Sequence, residues 1–539
     1  MKRALAILLA VGMAFSMAAC SGDSSSNTPA SSSQASSTAG SAPAQADGEY
    51  KDTLVVGTYG DQDTLDPQIN VTNDKVLRLI FDGLLTHAQD GSITGELAES
   101  WEHSDDYLIW TFKLRQGVKF ANGKELTSAD VVATFERLLN KEHPLRYSEK
   151  VEFLDSVKAI DDYTVEFTCA YQYGIVEETF ANQYCFIMDK DYIDQYGYDM
   201  GIDPESINGT GPYKITTWDA DEQMVFEANE YWWGGEVGTP TMIYKVIPEA
   251  SSRAMAIETG EVDVLDRPSV DDYTRLAETE GLVGVSQPGY GLQGFQFNCS
   301  DNSKCKDVKI RQAICYAIDR ETICQALYGA IGETATRGPM TPLVFGYKDY
   351  GVYPYDVEKA KSLLAEAGVP DGFDLSLMTN PGYNKAVEMA ETVKQNLAEV
   401  GINVTIETVD TATFNAALNG ITPDEMPWDM FVMGFGGSLD ADSCLRRVML
   451  TSEDGLNTNN YGWYSNARVD ELLVAAVTEL DQDKRREMYD EIQQLVYLDD
   501  PFAVYMNLRS SLYVMSDKVE DFNINAIQVV EFEKIKVRA

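Results

Sequence analysis

Side chains that commonly carry enzyme chemistry are few in this chain, and their spacing forms no catalytic pattern. The three histidines are His87, His103 and His143. None belongs to a His-Glu-x-x-His zinc motif, and the chain contains neither a Gly-x-Ser-x-Gly nucleophile turn nor a Cys-x-x-Cys pair. Acidic pairs carry little information in a chain with 86 acidic residues. The sequence therefore predicts a protein that is not an enzyme and holds no cofactor and no metal, with a secreted hydrolase as the competing class.

One cysteine has a setting that predicts a covalent modification. Two basic residues precede an apolar run over residues 4–15, and Cys20 follows the small residues Ala18 and Ala19. This arrangement is typical of a bacterial lipoprotein signal, in which residues 1–19 are removed and Cys20 receives lipid on its sulfur and on its new amino group. Two or more acyl chains hold a protein firmly to a bilayer. A generic signal-peptide cleavage site with an incidental cysteine is the alternative.

The segment that begins at this cysteine differs in composition from the rest of the chain. Residues 20–49 are rich in Ser, Ala, Gly, Pro and Thr, and we expect them to form a disordered tether. Beyond the tether, no apolar run reaches the roughly 18 residues of a membrane-spanning helix. The net charge of −44 excludes nucleic acid as a partner, because phosphates need a basic surface. We expect an extracytoplasmic monomer that is lipid-anchored to the bacterial cell membrane.

The other cysteines leave two interpretations open. If Cys20 is lipidated, seven cysteines remain, so at least one must be unpaired. Cys299 and Cys305 flank a polar stretch, and a small disulfide loop there is compatible with an extracytoplasmic location. Free buried thiols are the alternative.

The elements that must position any site are a mixture of strands and helices. Alternating or β-branched runs predict strands at Thr53–Thr58 and Thr164–Thr168. Asp356 is predicted to cap a helix that ends before Gly368, and another helix is predicted over residues 385–400. Strands alternating with helices favour α/β lobes, and the chain is longer than a single core usually supports.

Four blocks of sequence follow one another along the chain. They are Thr64-Leu65-Asp66-Pro67 with Ile80–Leu84, Leu97–Trp101 with Trp110–Phe120, Gly209–Tyr213 with Asn229–Trp232, and Val308–Ile314 with Ala317–Arg320. In their order and spacing they resemble the solute-binding proteins of family 5, the oligopeptide, dipeptide and nickel binders of ABC importers. The resemblance covers nearly all of residues 53–539. Gly209 and Gly211 do not form a phosphate cradle, because Pro212 and a strand follow instead of a helix.

The resemblance implies an α/β fold of the two-lobe periplasmic-binding-protein type (class II-like, cluster C), with an extra subdomain in lobe one. Lobe I is expected to comprise residues 50–292 and 510–539, and lobe II residues 293–509. Two crossing strands are expected to join the lobes, near Gln293–Asn298 and Val504–Arg509. Ligand would lie in the cleft, which closes around it, and the loaded protein would deliver it to the permease subunits of an ABC importer.

The resemblance also implies where a peptide ligand lies. In peptide-binding relatives, a segment equivalent to Trp428–Asp442 pairs its backbone with the peptide as an added strand. The predicted contacts of that segment here include Phe435, which replaces a usual Trp, and the backbone of Gly436 and Gly437. Such pairing is independent of the sequence of the peptide.

The charged anchor of those relatives is missing. An Asp that receives the α-ammonium of the peptide aligns here with Ser438, in a loop one residue shorter. We expect Asp440, or else Asp442, to take over this contact. The alternative is that both carboxylates cap or tie down the loop.

Further contacts and other ligands stay open. Val71 and Thr72 are expected on the opposite side of the ligand, and Trp463 either faces a ligand side chain or packs in the core. No Arg stands near Asn380–Tyr383, where dipeptide binders of the family carry one, so an oligopeptide is favoured over a strict dipeptide. The alternatives are an opine, a glycoside or a nickel chelate as the ligand, or a role as a peptide-sensing receptor.

Overall fold

The computed structural model describes residues 50–70, 74–418, 421–451 and 460–539. The predicted signal peptide, Cys20 and the tether lie outside the described residues, as do Val71 and Thr72.

Strands and helices are numbered in chain order. The strands are β1 (Thr53–Thr58), β2 (Leu85–His87), β3 (Ile93–Gly95), β4 (Ala98–His103), β5 (Ile109–Leu114), β6 (Leu154–Asp161), β7 (Thr164–Cys169), β8 (Tyr213–Asp219), β9 (Gln223–Ala228), β10 (Thr241–Val246), β11 (Val264–Asp266), β12 (Leu282–Phe297), β13 (Asp374–Thr379), β14 (Asn403–Thr408), β15 (Met430–Gly436), β16 (Ala503–Ser516), β17 (Val519–Glu520) and β18 (Lys536–Val537). The helices are α1 (Asp74–Ile80), α2 (Ser128–Leu138), α3 (Val176–Phe180), α4 (Lys190–Tyr196), α5 (Ala250–Glu258), α6 (Val270–Leu276), α7 (Val308–Tyr316), α8 (Arg320–Tyr328), α9 (Val357–Glu366), α10 (Ala386–Ala398), α11 (Thr411–Leu418), α12 (Ala441–Met449), α13 (Ala467–Thr478) and α14 (Gln482–Gln494).

Ten strands form one sheet in the order β14-β13-β15-β12-β16-β11-β1-β10-β9-β8. Its centre is the antiparallel pair β12 and β16, which are 16 and 14 residues long. They pair from Leu282 with Ser516 to Gln296 with Ala503, and the register shifts after Pro288. Both segments predicted to cross between lobes lie largely within these two strands. A separate sheet, β4-β5-β7-β6, belongs to the first half of the chain.

The buried apolar side chains form three main clusters. The largest draws all its members from residues 292–506, and it is built around β12, β13, β15 and the helices packed on them. A second lies under the four-stranded sheet, within residues 84–187. A third combines residues 54–264 with the chain end at 513–537. The predicted mixture of α and β is confirmed, while the domain boundaries at 292 and 509 stay a prediction.

Local signals in the sequence place several elements correctly. Asp356 caps α9, where its carboxylate accepts from the backbone N–H of Lys359 at 2.8 Å. Thr127 is the N-cap of α2, and its backbone N–H donates to Asp130 at 2.9 Å. Strand β1 has the predicted bounds. Short polar side chains at helix starts satisfy backbone donors that the helix itself leaves without partners.

The glycines of the Gly209–Tyr213 block allow close packing of two backbones. The N–H of Gly211 donates to the carbonyl of Ile80 at 2.8 Å, at the end of α1. A Cβ on Gly209 would lie 1.9 Å from the same oxygen. Only glycine fits such an approach. The role of this block is therefore structural, which agrees with the rejection of a phosphate cradle.

Candidate functional site

Strand β15 has one edge that is only partly paired. It pairs with β12 along its whole length, from Met430 to Gly436. On its other side β13 reaches only Met430 and Phe431. Within the described residues, the stretch 432–436 therefore has a sheet partner on one side alone. An open strand edge presents backbone donors and acceptors to which an extended chain can bind.

Two glycines turn the chain at the end of this edge. Gly436 and Gly437 have φ values of 92° and 122°, which few other residues adopt. A Cβ on Gly436 would lie 2.4 Å from the carbonyl oxygen of Tyr290 in β12. The turn leads into Ser438 and then into α12. The predicted ligand segment thus has a backbone geometry that depends on these two glycines.

A cavity of about 540 Å³ lies beside the open edge. One side is lined by Met433, Gly434, Gly436, Gly437 and Ser438, and the facing side by residues that include His87, Glu178, Asn182, Gln183 and Tyr184. The first group follows β12 in the chain and the second precedes it. A volume of this size is typical of a site for a small ligand, and a few polar groups converge on it.

Glu178 in α3 connects the two sides of this cavity. Its Oε1 accepts a hydrogen bond from the Ser438 hydroxyl at 3.2 Å, and its Oε2 lies 3.0 Å from Nε2 of His87. His87 is buried, and its Nδ1 has no hydrogen-bond partner among the described residues. A carboxylate therefore stands beside Ser438, the position at which the resemblance implied an ammonium-binding Asp.

Basic side chains dominate the charge of the lining. Arg78, Lys150, Arg267 and Arg447 all contribute to it, and Glu178 is the one carboxylate among the lining residues that the structure describes. Burial and the nearby positive charge of Arg447 lower the pKa of Lys150. The cavity is thus locally positive in a strongly acidic protein.

Asp440 and Asp442 are engaged in contacts within their own part of the fold. Asp440 is the N-cap of α12 and accepts from the backbone N–H of Asp442 at 2.8 Å. Its two oxygens also accept from the guanidinium of Arg485 at 2.9 and 2.7 Å. Asp442 accepts from Nε of Arg446 at 2.9 Å. These contacts favour the alternative in which both carboxylates tie down the loop, and the ammonium role of Asp440 stays a prediction.

Asp440 lines a second cavity, which is larger but less suited to an extended ligand. This cavity has a volume of about 700 Å³ and adjoins the first at Glu178 and Leu439, which line both. No residue of the open edge 432–436 lines it. The smaller cavity is therefore the candidate ligand site.

The aromatic residues predicted at the site differ in their placement. The ring of Phe435 is buried against Tyr505 and Phe502, at centroid distances of 5.0 and 6.0 Å, so only its backbone belongs to the open edge. Trp463 packs against the core of residues 292–506 and does not line the smaller cavity. The core-packing alternative for Trp463 is the one that its contacts support.

The cysteines of the described residues are all free thiols, Cys299 and Cys305 included. Burial raises the pKa of the Cys299 thiol to about 11. Of the two interpretations given for this pair, the structure shows free thiols.

The described residues include neither a membrane-spanning helix nor a cluster of metal ligands. No described helix is both long enough and apolar enough to cross a bilayer. The same residues contain no group of three or more His, Cys, Asp or Glu side chains placed to hold a metal ion.

Known proteins share both the sequence pattern and the fold. A family model described as bacterial extracellular solute-binding proteins, family 5, matches residues 92–455. A glutathione-binding protein of Salmonella paratyphi A is 28% identical over 453 residues, which cover 83% of this chain and 88% of that protein. Di/tripeptide-binding protein 3 of Pseudomonas aeruginosa is 31% identical over 458 residues, with coverage of 80% and 84%. The structure of the periplasmic binding protein DppA of Helicobacter pylori, in complex with the peptide STSA, superposes with a TM-score of 0.77 at 25% identity and covers 91% of this chain and 99% of that one.

Proposed function

The chain belongs to family 5 of the bacterial extracellular solute-binding proteins, and from that premise we propose that it captures a peptide and delivers it to the permease subunits of an ABC importer. The observation that carries the peptide assignment is the open edge of β15 over the smaller cavity. A peptide added as a strand there gains main-chain hydrogen bonds whatever its sequence. The predicted contacts of Gly436, Gly437 and Ser438 belong to this binding mode.

The amino end of the peptide binds at Glu178. This carboxylate lies 3.2 Å from the hydroxyl of Ser438 and lines the cavity. A partly buried carboxylate stabilises an ammonium strongly, because the charge-assisted hydrogen bond forms where little water competes. Glu178 is better placed for this role than Asp440, because the charge of Asp440 is paired with the guanidinium of Arg485, whereas the oxygens of Glu178 contact the Ser438 hydroxyl and a ring nitrogen of His87.

Native mass spectrometry of protein purified without denaturation tests the proposed function. We expect the mass of one chain with a series of bound peptide masses, longer peptides included, and no change of those masses during incubation. A single bound mass that matches a non-peptide ligand, such as an opine, a glycoside or a nickel chelate, would overturn the peptide assignment. Peptide masses that shorten with time would instead favour the secreted hydrolase.

The proposal includes a lipid anchor at Cys20, supported by the signal-like residues before it. The protein then works at the outer face of the cell membrane, close to the importer. We expect Cys20→Ser to move the protein from the membrane fraction to the medium or periplasm, with unchanged peptide affinity. Retention of the variant in the membrane fraction would refute the anchor.

A further inference from the structure

The candidate cavity differs in charge from the rest of the protein. The whole chain has 42 basic and 86 acidic residues. The described lining of the cavity has four basic residues, Arg78, Lys150, Arg267 and Arg447, against Glu178 alone. The adjoining larger cavity serves as an internal comparison, because it is lined by four carboxylates and two arginines. A basic lining is therefore a property of the candidate site and not of cavities in this protein generally.

Two of these cations, Lys150 and Arg447, form no salt bridge with a described carboxylate. Neither Lys150 nor Arg447 forms a side-chain hydrogen bond or a salt bridge with any described residue. Arg267 differs, because it donates to the hydroxyl of Tyr59 at 3.2 Å and its charge is attracted to the carboxylate of the adjacent Asp266. The neighbouring Arg446 shows the usual arrangement, since it is bound to Asp442 at 2.7 Å. The charges of Lys150 and Arg447 are thus available to a ligand.

Two of the cations come from different parts of the chain and line the same cavity. Lys150 belongs to the segment before β12, and Arg447 to α12 after it. The charge of Arg447 lowers the pKa of the partly buried Lys150, which means that the two repel. An anionic group between them removes this repulsion and adds two attractive contacts. Such a group favours the arrangement in which both sides are close.

Solvated surface cations that only steer ligands are the competing interpretation, because Arg267 and Arg447 are exposed. Steering alone does not explain why the cations from four separate segments line one cavity while the adjoining cavity is acidic. It also does not explain the partial burial of Lys150 without a side-chain hydrogen bond or salt bridge.

Resting on the proposed function, we infer that the site selects ligands with net negative charge: peptides with at least one acidic side chain besides the terminal carboxylate. The ammonium of such a peptide lies at Glu178, and its carboxylates lie at Lys150 and Arg447. The backbone edge of β15 supplies affinity for any peptide, while the cations determine which peptides bind most tightly.

Calorimetric titration with three peptides that differ in one side chain tests this inference at neutral pH. We expect Ala-Glu-Ala to bind about tenfold more tightly than Ala-Ala-Ala, and Ala-Lys-Ala about tenfold more weakly. The preference should shrink strongly at about 1 M salt, where the screening length is about 3 Å. Lys150→Gln and Arg447→Gln should each reduce the Ala-Glu-Ala preference to less than about threefold. The matched control Lys359→Gln removes an exposed cation that lines neither cavity and should leave the preference unchanged.

A fourth probe, citrate, separates the charge inference from the proposed function. If the wild-type protein binds all three peptides equally, the charge inference is overturned and peptide binding stands. If no peptide binds but citrate does, and Arg447→Gln abolishes this, the anionic site is supported and the peptide assignment fails. If neither the peptides nor citrate bind to the folded protein, the charge inference and the peptide assignment are both overturned.

Discussion

Replacing Asp440 with alanine is expected to lower the free energy of unfolding by about 3–5 kcal/mol, because it leaves the buried guanidinium of Arg485 without its partner. In the native protein both oxygens of Asp440 accept from Arg485, at 2.9 and 2.7 Å, and both side chains are buried. The substitution also removes the cap of α12, which contributes about 1 kcal/mol. Urea unfolding at equilibrium measures the loss as a shift in midpoint.

A surface pair with similar geometry provides the control. Asp349 accepts from Nε of Arg337 with both oxygens at 2.8 Å, but each side chain is about half exposed. We expect Asp349→Ala to cost no more than about 1 kcal/mol, since water solvates the separated charges. If Asp440→Ala costs equally little and abolishes peptide binding, its carboxylate is a ligand group after all, and the ammonium role predicted from the sequence is restored.

Much of the fold follows from local rules in the sequence, but the long central strands do not. The cap at Asp356 and the bounds of β1 were readable because they depend on neighbouring residues. The sequence indicated an extended crossing only from Gln293, whereas β12 begins at Leu282. Pro288 and the glycines near it normally indicate a break. The strand continues through them because β16, more than 200 residues further along the chain, pairs with β12 on both sides of the register shift at Pro288.

The candidate site was predictable only in its backbone part. The family pattern identified Gly436, Gly437 and Ser438, which line the cavity. Lys150 and Arg447 come from distant segments, and nothing in their spacing relates them to each other. The sequence did not indicate Glu178: the resemblance implied a missing carboxylate at Ser438, and the replacement was expected at Asp440 or Asp442 in the same loop. The pairing of Asp440 with Arg485, 45 positions apart, is equally a product of the tertiary fold.

The predicted role of Glu178 has the largest expected effect on binding. We expect Glu178→Gln to weaken binding of Ala-Glu-Ala by about 30- to 1,000-fold, because the peptide ammonium loses a charged partner in a partly buried site. The amide can still accept from Ser438, so the fold should be retained, and the thermal midpoint should change by only a few degrees. Isothermal calorimetry measures the affinity, and thermal unfolding checks the fold.

The N-acetylated form of the same peptide shows whether the loss concerns the ammonium. It has no positive amino end, so wild type and Glu178→Gln should bind it with nearly equal affinity. Glu177→Gln is the matched control, because Glu177 is the adjacent carboxylate, binds the indole N–H of Trp101 and lines only the larger cavity. It should leave both affinities nearly unchanged. If Glu178→Gln weakens the free and the acetylated peptide equally, the carboxylate acts through its contact with Ser438 across the cavity and not on the ligand. The ammonium of the peptide would then have to bind elsewhere.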